Sequence, residues 1–364
     1  MTKPRRIGVL TGGGDCPGLN AVIRAVTKTA LSHEIEVLGI EDGYLGLIEG
    51  RARPLDDADV SNILTDGGTI LGSSNTADPT HWRTGIDAAG EPLYADVTER
   101  CLGHLDDWGA EALVLIGGDG TMSLAQPFVE AGVSCVGVPK TIDNDVWGTD
   151  LTFGFLTAAA TATDALDRVH TTAASHHRVI AVEVMGRNAG WLALHSGVAS
   201  GSDVILLPEI PFSWQSICDA IERRRARGKR FTVICVSEGA APLGGDQVVA
   251  RRVEDSPDPI RLGGLAQQVA LEVEQRLGVV ARHVVLGHVQ RGGPPIAADR
   301  VLATEFGARA CQLLVEGRSG RMVARHGFDA VDIDLSEPAN KQRKVPLEHP
   351  LIRAARQLAT SFGD

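Results

Sequence analysis

The chain has 364 residues, 43% hydrophobic and 22% charged, which is long and apolar enough for two domains with real cores and excludes a disulfide-stapled peptide or a disordered chain. Its 35 basic and 46 acidic residues leave a net charge of −11, and only 4% of the chain is aromatic, which together exclude bulk attraction to nucleic acid or an anionic membrane and a stacking platform for single strands. Glycine is abundant, 42 residues without a Gly-X-Y period, so these glycines belong to turns and close backbone approaches.

In chain order, IGVL at 7–10 reads as a strand, a glycine loop follows, and a helix is expected over 20–31. Strands follow at 36–40, 112–118 (ALVLIGG) and 133–140 (VSCVGVPK), then a long helix over 156–170. Strands at 179–186, 204–209, 231–239 and 283–293 alternate with helices over 191–199, 213–228, 265–278 and 299–317. Near-continuous apolar runs suit strands covered on both faces, and the alternation predicts an α/β protein with mostly parallel sheets. The polar stretch 141–150 (TIDNDVWGTD) separates two such runs and marks a boundary, with the helix over 299–316 open to either half. Residues 241–262 read as loop and 340–350 as a surface tail. Cys16, Cys101, Cys135, Cys218, Cys235 and Cys311 form no CxxC pair and read as buried free thiols. The apolar run near the N-terminus is four residues long, and no span of about 18 apolar residues appears, so a soluble cytoplasmic protein without membrane attachment is expected.

Seven strand ends carry candidate chemistry. Thr11–Gly18 (TGGGDCPG) is either a tight structural turn or a phosphate cradle, and three consecutive glycines between strand and helix favour the cradle. It is neither a GxGxxG fingerprint nor a P-loop. Leu115–Thr121 (LIGGDGT) repeats the design and adds Asp119. A carboxylate beside phosphates needs a cation, and Mg²⁺, bound through one or two carboxylates plus substrate phosphates, supplies it; the alternative is an Asp-Gly turn. Pro139–Asp145 (PKTIDND) offers Asp143 and Asp145, one to accept a hydroxyl proton and one to steady charge, with Lys140 as a point charge; the alternative is a helix-capping loop. Glu183–Gly190 (EVMGRNAG) sets Arg187 for phosphate, while Glu209 and Glu238 at two further strand ends stay open between sugar hydroxyls and capping. Leu286–Gly293 (LGHVQRGG) puts His288 and Arg291 beside glycines, and Arg178 and Arg282 flank neighbouring strands, where the arginine fork suits a phosphomonoester. The basic run at 223–230 reads as a solvated helix end. Glycine loops for phosphate, carboxylates for Mg²⁺ and arginines for a second anion together point to a kinase of a phosphorylated small molecule.

The stretches TGGGDCPGLNAVIR, GGDGT, PKTIDND, EVMGRNAGW and LGHVQRGGPP, in this order and spacing, resemble the 6-phosphofructokinase family across nearly the whole chain. Lys140 and NAGW look most like the subgroup that includes actinobacterial ATP-dependent and pyrophosphate-dependent enzymes. The resemblance implies two three-layer αβα domains of the phosphofructokinase kind. Residues 1–148, with a segment around 288–325 free to return, would bind nucleotide and Mg²⁺; residues 149–287 with C-terminal elements would bind sugar phosphate. It implies Asp143 as the base for the sugar 1-hydroxyl, supported by Thr141 and Asp145, with Arg187 stabilising the transferring phosphoryl group. Asp119 would hold Mg²⁺, and Gly13, Gly118, Gly120 and Thr121 would line the nucleotide phosphate site. Met185, Gly186, Glu238, His288 and Arg291 would join Thr141, Asp143 and Arg187 at the sugar phosphate. Arg178 and Arg282 match family arginines that arrive from the neighbouring subunit, which implies a homodimer or homotetramer with shared sites. The implied reaction is glycolytic: ATP and fructose 6-phosphate giving fructose 1,6-bisphosphate.

Gly120 stands where pyrophosphate users carry an acid that would crowd the nucleotide α-phosphate, which favours ATP. Lys140 is typical of pyrophosphate users but also occurs in ATP-using relatives of the subgroup. Asn75 replaces a family arginine that bridges donor and acceptor phosphates, and Leu124 replaces a common glycine beside the nucleotide. Pyrophosphate as donor, another sugar or cyclitol phosphate as acceptor, and a non-catalytic sugar-phosphate sensor therefore stand as alternatives.

Overall fold

A computed structural model describes residues 3–252, 260–339 and 341–364. The chain begins with β1 (Arg6–Thr11), α1 (Leu19–Ser32), β2 (Glu36–Ile40), α2 (Tyr44–Glu49), β3 (Ala52–Leu55), β4 (Trp82–Ile86), β5 (Pro92–Ala95) and α3 (Thr98–Trp108). Next come β6 (Ala112–Gly117), α4 (Asp119–Ser123), α5 (Gln126–Glu130), β7 (Ser134–Thr141), β8 (Phe153–Gly154), α6 (Phe155–His176), β9 (Val179–Val184), α7 (Trp191–Ala199) and β10 (Val204–Leu206). It continues with α8 (Trp214–Ala226), β11 (Thr232–Ser237), β12 (Val249–Arg252), β13 (Ile260–Leu262), α9 (Leu265–Leu277) and β14 (Ala281–Val285). The last elements are α10 (Ala297–Val315), β15 (Arg321–His326), β16 (Asp329–Asp334) and α11 (Pro350–Gln357).

Two units result. The first holds Met1–Ile142, Val146–Gly154 and Arg291–Gln342; the second holds Asp143–Asp145, Phe155–Gln290 and Arg343–Asp364. The first unit's main sheet runs β16-β15-β7-β6-β1-β2-β3. Its interior pairs are parallel, while β3 and β16 close the two edges antiparallel. The continuous apolar runs of β1, β6 and β7 are buried almost throughout, because helices cover both faces. On one face Leu10, Leu113, Leu115 and Cys135 pack with Leu47 of α2, Leu105 of α3, Met122 of α4 and Phe128 of α5. On the other lie α1 and α10, which pack on each other. Gly307 permits their approach, since a Cβ there would stand 2.7 Å from the Val22 carbonyl oxygen. The helix that the sequence leaves open to either half thus packs in the first unit.

The second unit's sheet, β10-β11-β9-β14, is parallel throughout. Val179, Ala181, Ile234 and Val236 face Ile217 and Ile221 of α8 and Leu265, Val269 and Val273 of α9. The opposite face takes α6 and α7, where Gly197 lies against Ile205 and Cys235. Both units are three-layer αβα sandwiches.

Three segments depart from expectation. The strand expected over 283–293 stops at Val285, because Gly287 turns the chain with φ +52°. The stretch read as loop contains the antiparallel pair β12–β13, and residues 253–259 of it lie outside the described residues. The expected tail over 340–350 (residue 340 lies outside the described residues) is built in: Val345, Ile352, Ala355 and Phe362 are all buried. All six cysteines are free and buried, and burial pushes the thiols of Cys16, Cys101, Cys135, Cys235 and Cys311 up to about 12, as structural thiols require. Among the described residues no helix is long and apolar enough to cross a membrane.

The C-terminal strap carries a pH dependence. His349 Nδ1 accepts the Leu351 N–H at 3.3 Å and so caps α11. Burial, then Arg343 and Arg353, hold His349 below histidine's ordinary 6.5. Burial, then His349 and Arg343, do the same to His195, whose ring meets Phe155 edge-on at 5.0 Å. As pH falls through 6.5 the unfolded chain takes up these protons before the folded one, so stability present above that value is lost on acidification. The thermal midpoint is expected to drop between about pH 7.5 and about pH 5.5, and His349→Asn, which keeps a capping side chain without a titrating ring, is expected to flatten part of that slope. An unchanged slope in the variant would remove His349 from this account.

Candidate active site

The parallel register sets Leu10 beside Leu115 and Gly117 beside Pro139, so the loops after β1, β6 and β7 open at one edge of the first unit's sheet. That carboxyl edge is where open α/β sheets take ligands. The loops touch one another. Gly12 N–H donates to the Ile116 carbonyl at 2.9 Å, and Gly13 N–H to the Ser74 carbonyl at 3.0 Å. Ser73 Oγ donates to the Thr11 and Gly13 carbonyls at 3.0 and 2.5 Å. Thr121 is the reason glycine is needed twice: its side chain fills the space that a Cβ on Gly12 or Gly117 would take. Lys140 is buried, with Nζ donating to the Gly14 carbonyl and standing 3.4 Å from where a Gly13 Cβ would be. Gly13 itself has φ +75°. Arg291, expected at the sugar phosphate, lies in the first unit with Nη1 donating to the Asp15 carbonyl at 3.0 Å.

Asp119 opens α4, Gly118 precedes it, and nothing lies within 4 Å of a Cβ added to Gly120. Gly120 thus faces open space in the first turn of α4, next to the Asp119 carboxylate. Among the described residues no three His, Cys, Asp or Glu side chains cluster to hold a metal. Mg²⁺ is commonly held by one or two carboxylates with substrate phosphates completing its shell, and a single carboxylate beside glycine loops fits that ion. Asn75 is exposed immediately after Ser74. Leu124 packs against the apolar cluster under the sheet, where its bulk is absorbed. Thr141 ends β7 opposite Gly154, and its carbonyl accepts Thr152 Oγ1 at 2.8 Å. Asp143 follows Thr141 by two residues, which alone keeps their Cα atoms within about 7 Å.

In the second unit β11 and β14 both flank β9, so the segments beyond Val184, Ser237 and Val285 emerge together. Gly186 has φ +126°, and its carbonyl accepts Ser237 Oγ at 2.5 Å. Gln247 Nε2 holds the Arg187 and Gly239 carbonyls at 3.2 and 2.9 Å. A Cβ on Gly239 would overlap the Arg187 carbonyl, so only glycine lets the Arg187 turn settle beside Glu238. His288 is exposed on the short turn after β14. Fully buried Gln290 fixes that turn: Oε1 accepts Met185 N–H at 3.3 Å, and Nε2 donates to Gly287 at 3.0 Å. Met185, Gly186, Arg187, Glu238 and His288 thus share one end of this sheet.

Arg178 and Arg282 do not join them. Arg178 precedes β9 and Arg282 sits opposite Ile180, at the amino end of the same strands. Eight residues separate Arg178 from Gly186, roughly 26 Å of strand. Arg282 Nη1 pairs there with Glu274 at 3.0 Å. Two acids also resolve as structural. Glu209 accepts the N–H groups of Gly190 and Val345 at 3.0 and 2.8 Å. Buried Glu183 accepts those of Gly264 and Ala266 at 3.1 and 2.9 Å, satisfying the N-terminus of α9. Gln247, Gln290 and Arg343 are missed by sequence reading, because their partners are backbone groups far away in the chain.

The Phosphofructokinase family matches residues 6–314. The chain belongs to the phosphofructokinase family. A Clostridium perfringens protein named ATP-dependent 6-phosphofructokinase 2 is 48% identical over 370 residues, spanning 100% of both chains. An Amycolatopsis mediterranei protein named pyrophosphate–fructose 6-phosphate 1-phosphotransferase is 48% identical over 94% of this chain and 97% of its own. Among solved phosphofructokinases, that of Pichia pastoris in the T-state superposes with a TM-score of 0.79 at 31% identity, covering 93% of this chain. This chain spans 36% of the Pichia chain.

Proposed function

We propose that this phosphofructokinase transfers the terminal phosphoryl group of ATP to the 1-hydroxyl of fructose 6-phosphate, directly and in line. The observation that carries the reading is the joined loop edge of β1, β6 and β7, where Gly12, Gly13, Thr121 and buried Lys140 pack together beside Gly118 and Asp119, and the Cβ position of Gly120 is open. That space suits polyphosphate, and backbone N–H groups and an ammonium are the donors it would meet. Asp119 is the residue that would hold Mg²⁺, which would neutralise charge on the phosphoryl oxygens. Asp143 takes the hydroxyl proton, with Thr141 and Asp145 steadying the loop, and Arg187 meets the charge that develops on the transferring group. Met185, Gly186, Glu238, His288 and Arg291 orient the sugar phosphate. On this reading the first unit binds donor and Mg²⁺, and the second binds acceptor. Arg178 and Arg282, remote from that end of their own sheet, serve the site of a second copy, which favours a homodimer or a homotetramer of such pairs. A soluble, cytoplasmic setting suits the substrates.

A second reading, pyrophosphate as donor, is favoured by Lys140 and by the name of the Amycolatopsis relative. The test crosses ATP, GTP and pyrophosphate against several sugar phosphates in Mg²⁺-dependent assays. ATP with fructose 6-phosphate is expected to give the highest kcat/KM. Preference for pyrophosphate would select the second reading, and no turnover with any pair would leave a sugar-phosphate sensor.

A further inference from the structure

The strap 343–364 lies beyond the family match, yet its first residue meets the segment that holds the proposed base. Arg343 N–H donates to the Asp145 carbonyl at 2.7 Å, and Arg343 Nη1 donates to the Asn144 carbonyl at 3.0 Å. The guanidinium carbon stands 4.0 Å from the centroid of the Trp191 ring, and Trp191 Nε1 donates back to the Arg343 carbonyl at 2.8 Å. Two residues further on, Val345 N–H shares the Glu209 carboxylate with Gly190, the residue before Trp191.

These contacts converge on a short and unusual piece of backbone. Asn144, the residue after Asp143, is buried and has φ +53°, a left-handed conformation that is uncommon outside glycine and that asparagine tolerates better than most residues. Its carbonyl and the next one are the two that Arg343 holds. Both peptides, 144–145 and 145–146, follow Asp143, so holding their carbonyls fixes the arm by which the chain leaves this turn and, through Asn144, limits how the Asp143 backbone can shift. A flat guanidinium can stack on an indole while donating in its own plane, which an ammonium cannot do.

We infer that Arg343 is a positioning residue for phosphoryl transfer: clamped between Trp191 and the Asn144 and Asp145 carbonyls, it holds the Asp143 loop in its reactive conformation. The inference rests on Asp143 being the base and deepens that reading. It makes the C-terminal strap part of the catalytic apparatus through its first residue.

The test compares wild type, Asp143→Asn, Arg343→Met and Arg343→Lys with the donor that wild type prefers. Arg343→Met is expected to lower kcat ~30-fold with both KM values within about twofold of wild type, since the loop loses aim and not substrate contacts. Added guanidinium ion is expected to restore part of that rate. Arg343→Lys keeps the charge over Trp191 and one donor, and is expected to lose about threefold in kcat at unchanged KM. Wild-type kcat in a folded Arg343→Met protein overturns the inference. So does a loss spread over both KM values and the thermal midpoint without guanidinium rescue, because that is a purely structural role. If Arg343→Met does not fold, Arg343→Lys decides by the same split, wild-type kcat overturning the inference. An active Asp143→Asn enzyme would reject the base itself, whereas an inactive one beside a fully active Arg343→Met rejects only the role of Arg343.

Discussion

Asp143→Asn is expected to lower kcat on the order of 10³-fold while the KM for the sugar phosphate stays within about threefold. The amide has nearly the shape of the carboxylate and can still meet a hydroxyl, but it cannot take the proton. The backbone supports are untouched, since the Asn144 and Asp145 carbonyls remain held by Arg343 and the Thr141 carbonyl by Thr152. The variant therefore separates proton transfer from loop geometry. Steady-state assays over a range of sugar phosphate, with sugar binding measured independently, decide the matter. A parallel loss of affinity and rate would mean that Asp143 shapes the acceptor site and another group handles the proton.

The strands that frame this site were legible because burial on both faces leaves a plain mark. The runs IGVL, ALVLIG, VIAVEV and TVICVS contain almost nothing polar, and the structure buries them all. The missed elements lack that mark. β4 and β5 form an exposed hairpin, and β3 and β16 are edge strands with one side open, so their residues mix polar and apolar without a clean period. α2 is six residues with a glycine inside, too short for helical periodicity to register, yet it buries Tyr44, Leu47 and Ile48. α3 is a full helix whose inward face is only Thr98, Cys101 and Leu105.

The site divides along the same line. Glycine loops at strand ends are a local pattern, so Gly13, Gly118, Asp119 and Gly120 could be found from neighbours alone. Carboxylates at strand ends are ambiguous, because the same position suits a sugar hydroxyl or a backbone N–H. Glu209 and Glu183 turn out to hold N–H groups of Val345 and Gly264, which no local pattern links to them. Arg343 is harder still: it is one residue of a polar tail, and its meaning comes from Trp191 and Asn144, 152 and 199 positions away. What a residue contributes through a remote backbone group is written in the fold, not in its surroundings along the chain.

Gly120→Asp is expected to cut kcat/KM for ATP by about 100-fold with little change in thermal midpoint. The structure separates the two quantities. A Cβ at this position meets no atom within 4 Å beyond its own helix turn, and the residue is exposed in the first turn of α4, so the new side chain starts in open space. An acid at a helix start is mildly favourable to folding. The cost falls on the donor. A carboxylate about 4 Å from a phosphate charge repels it by roughly 4 kcal/mol at an effective dielectric of about 20, or ~10³-fold, and a nearby cation offsets part of that. Gly120→Ala supplies the control, because a methyl group brings volume without charge: it is expected to lose only a few-fold. Pyrophosphate has no inner ester phosphate to crowd, so the ratio of ATP to pyrophosphate turnover should fall in the Asp variant whichever donor wild type prefers. Unchanged ATP kinetics in a folded Gly120→Asp protein would mean that the donor's inner phosphates do not pass this glycine, and the open space beside Asp119 would need another occupant.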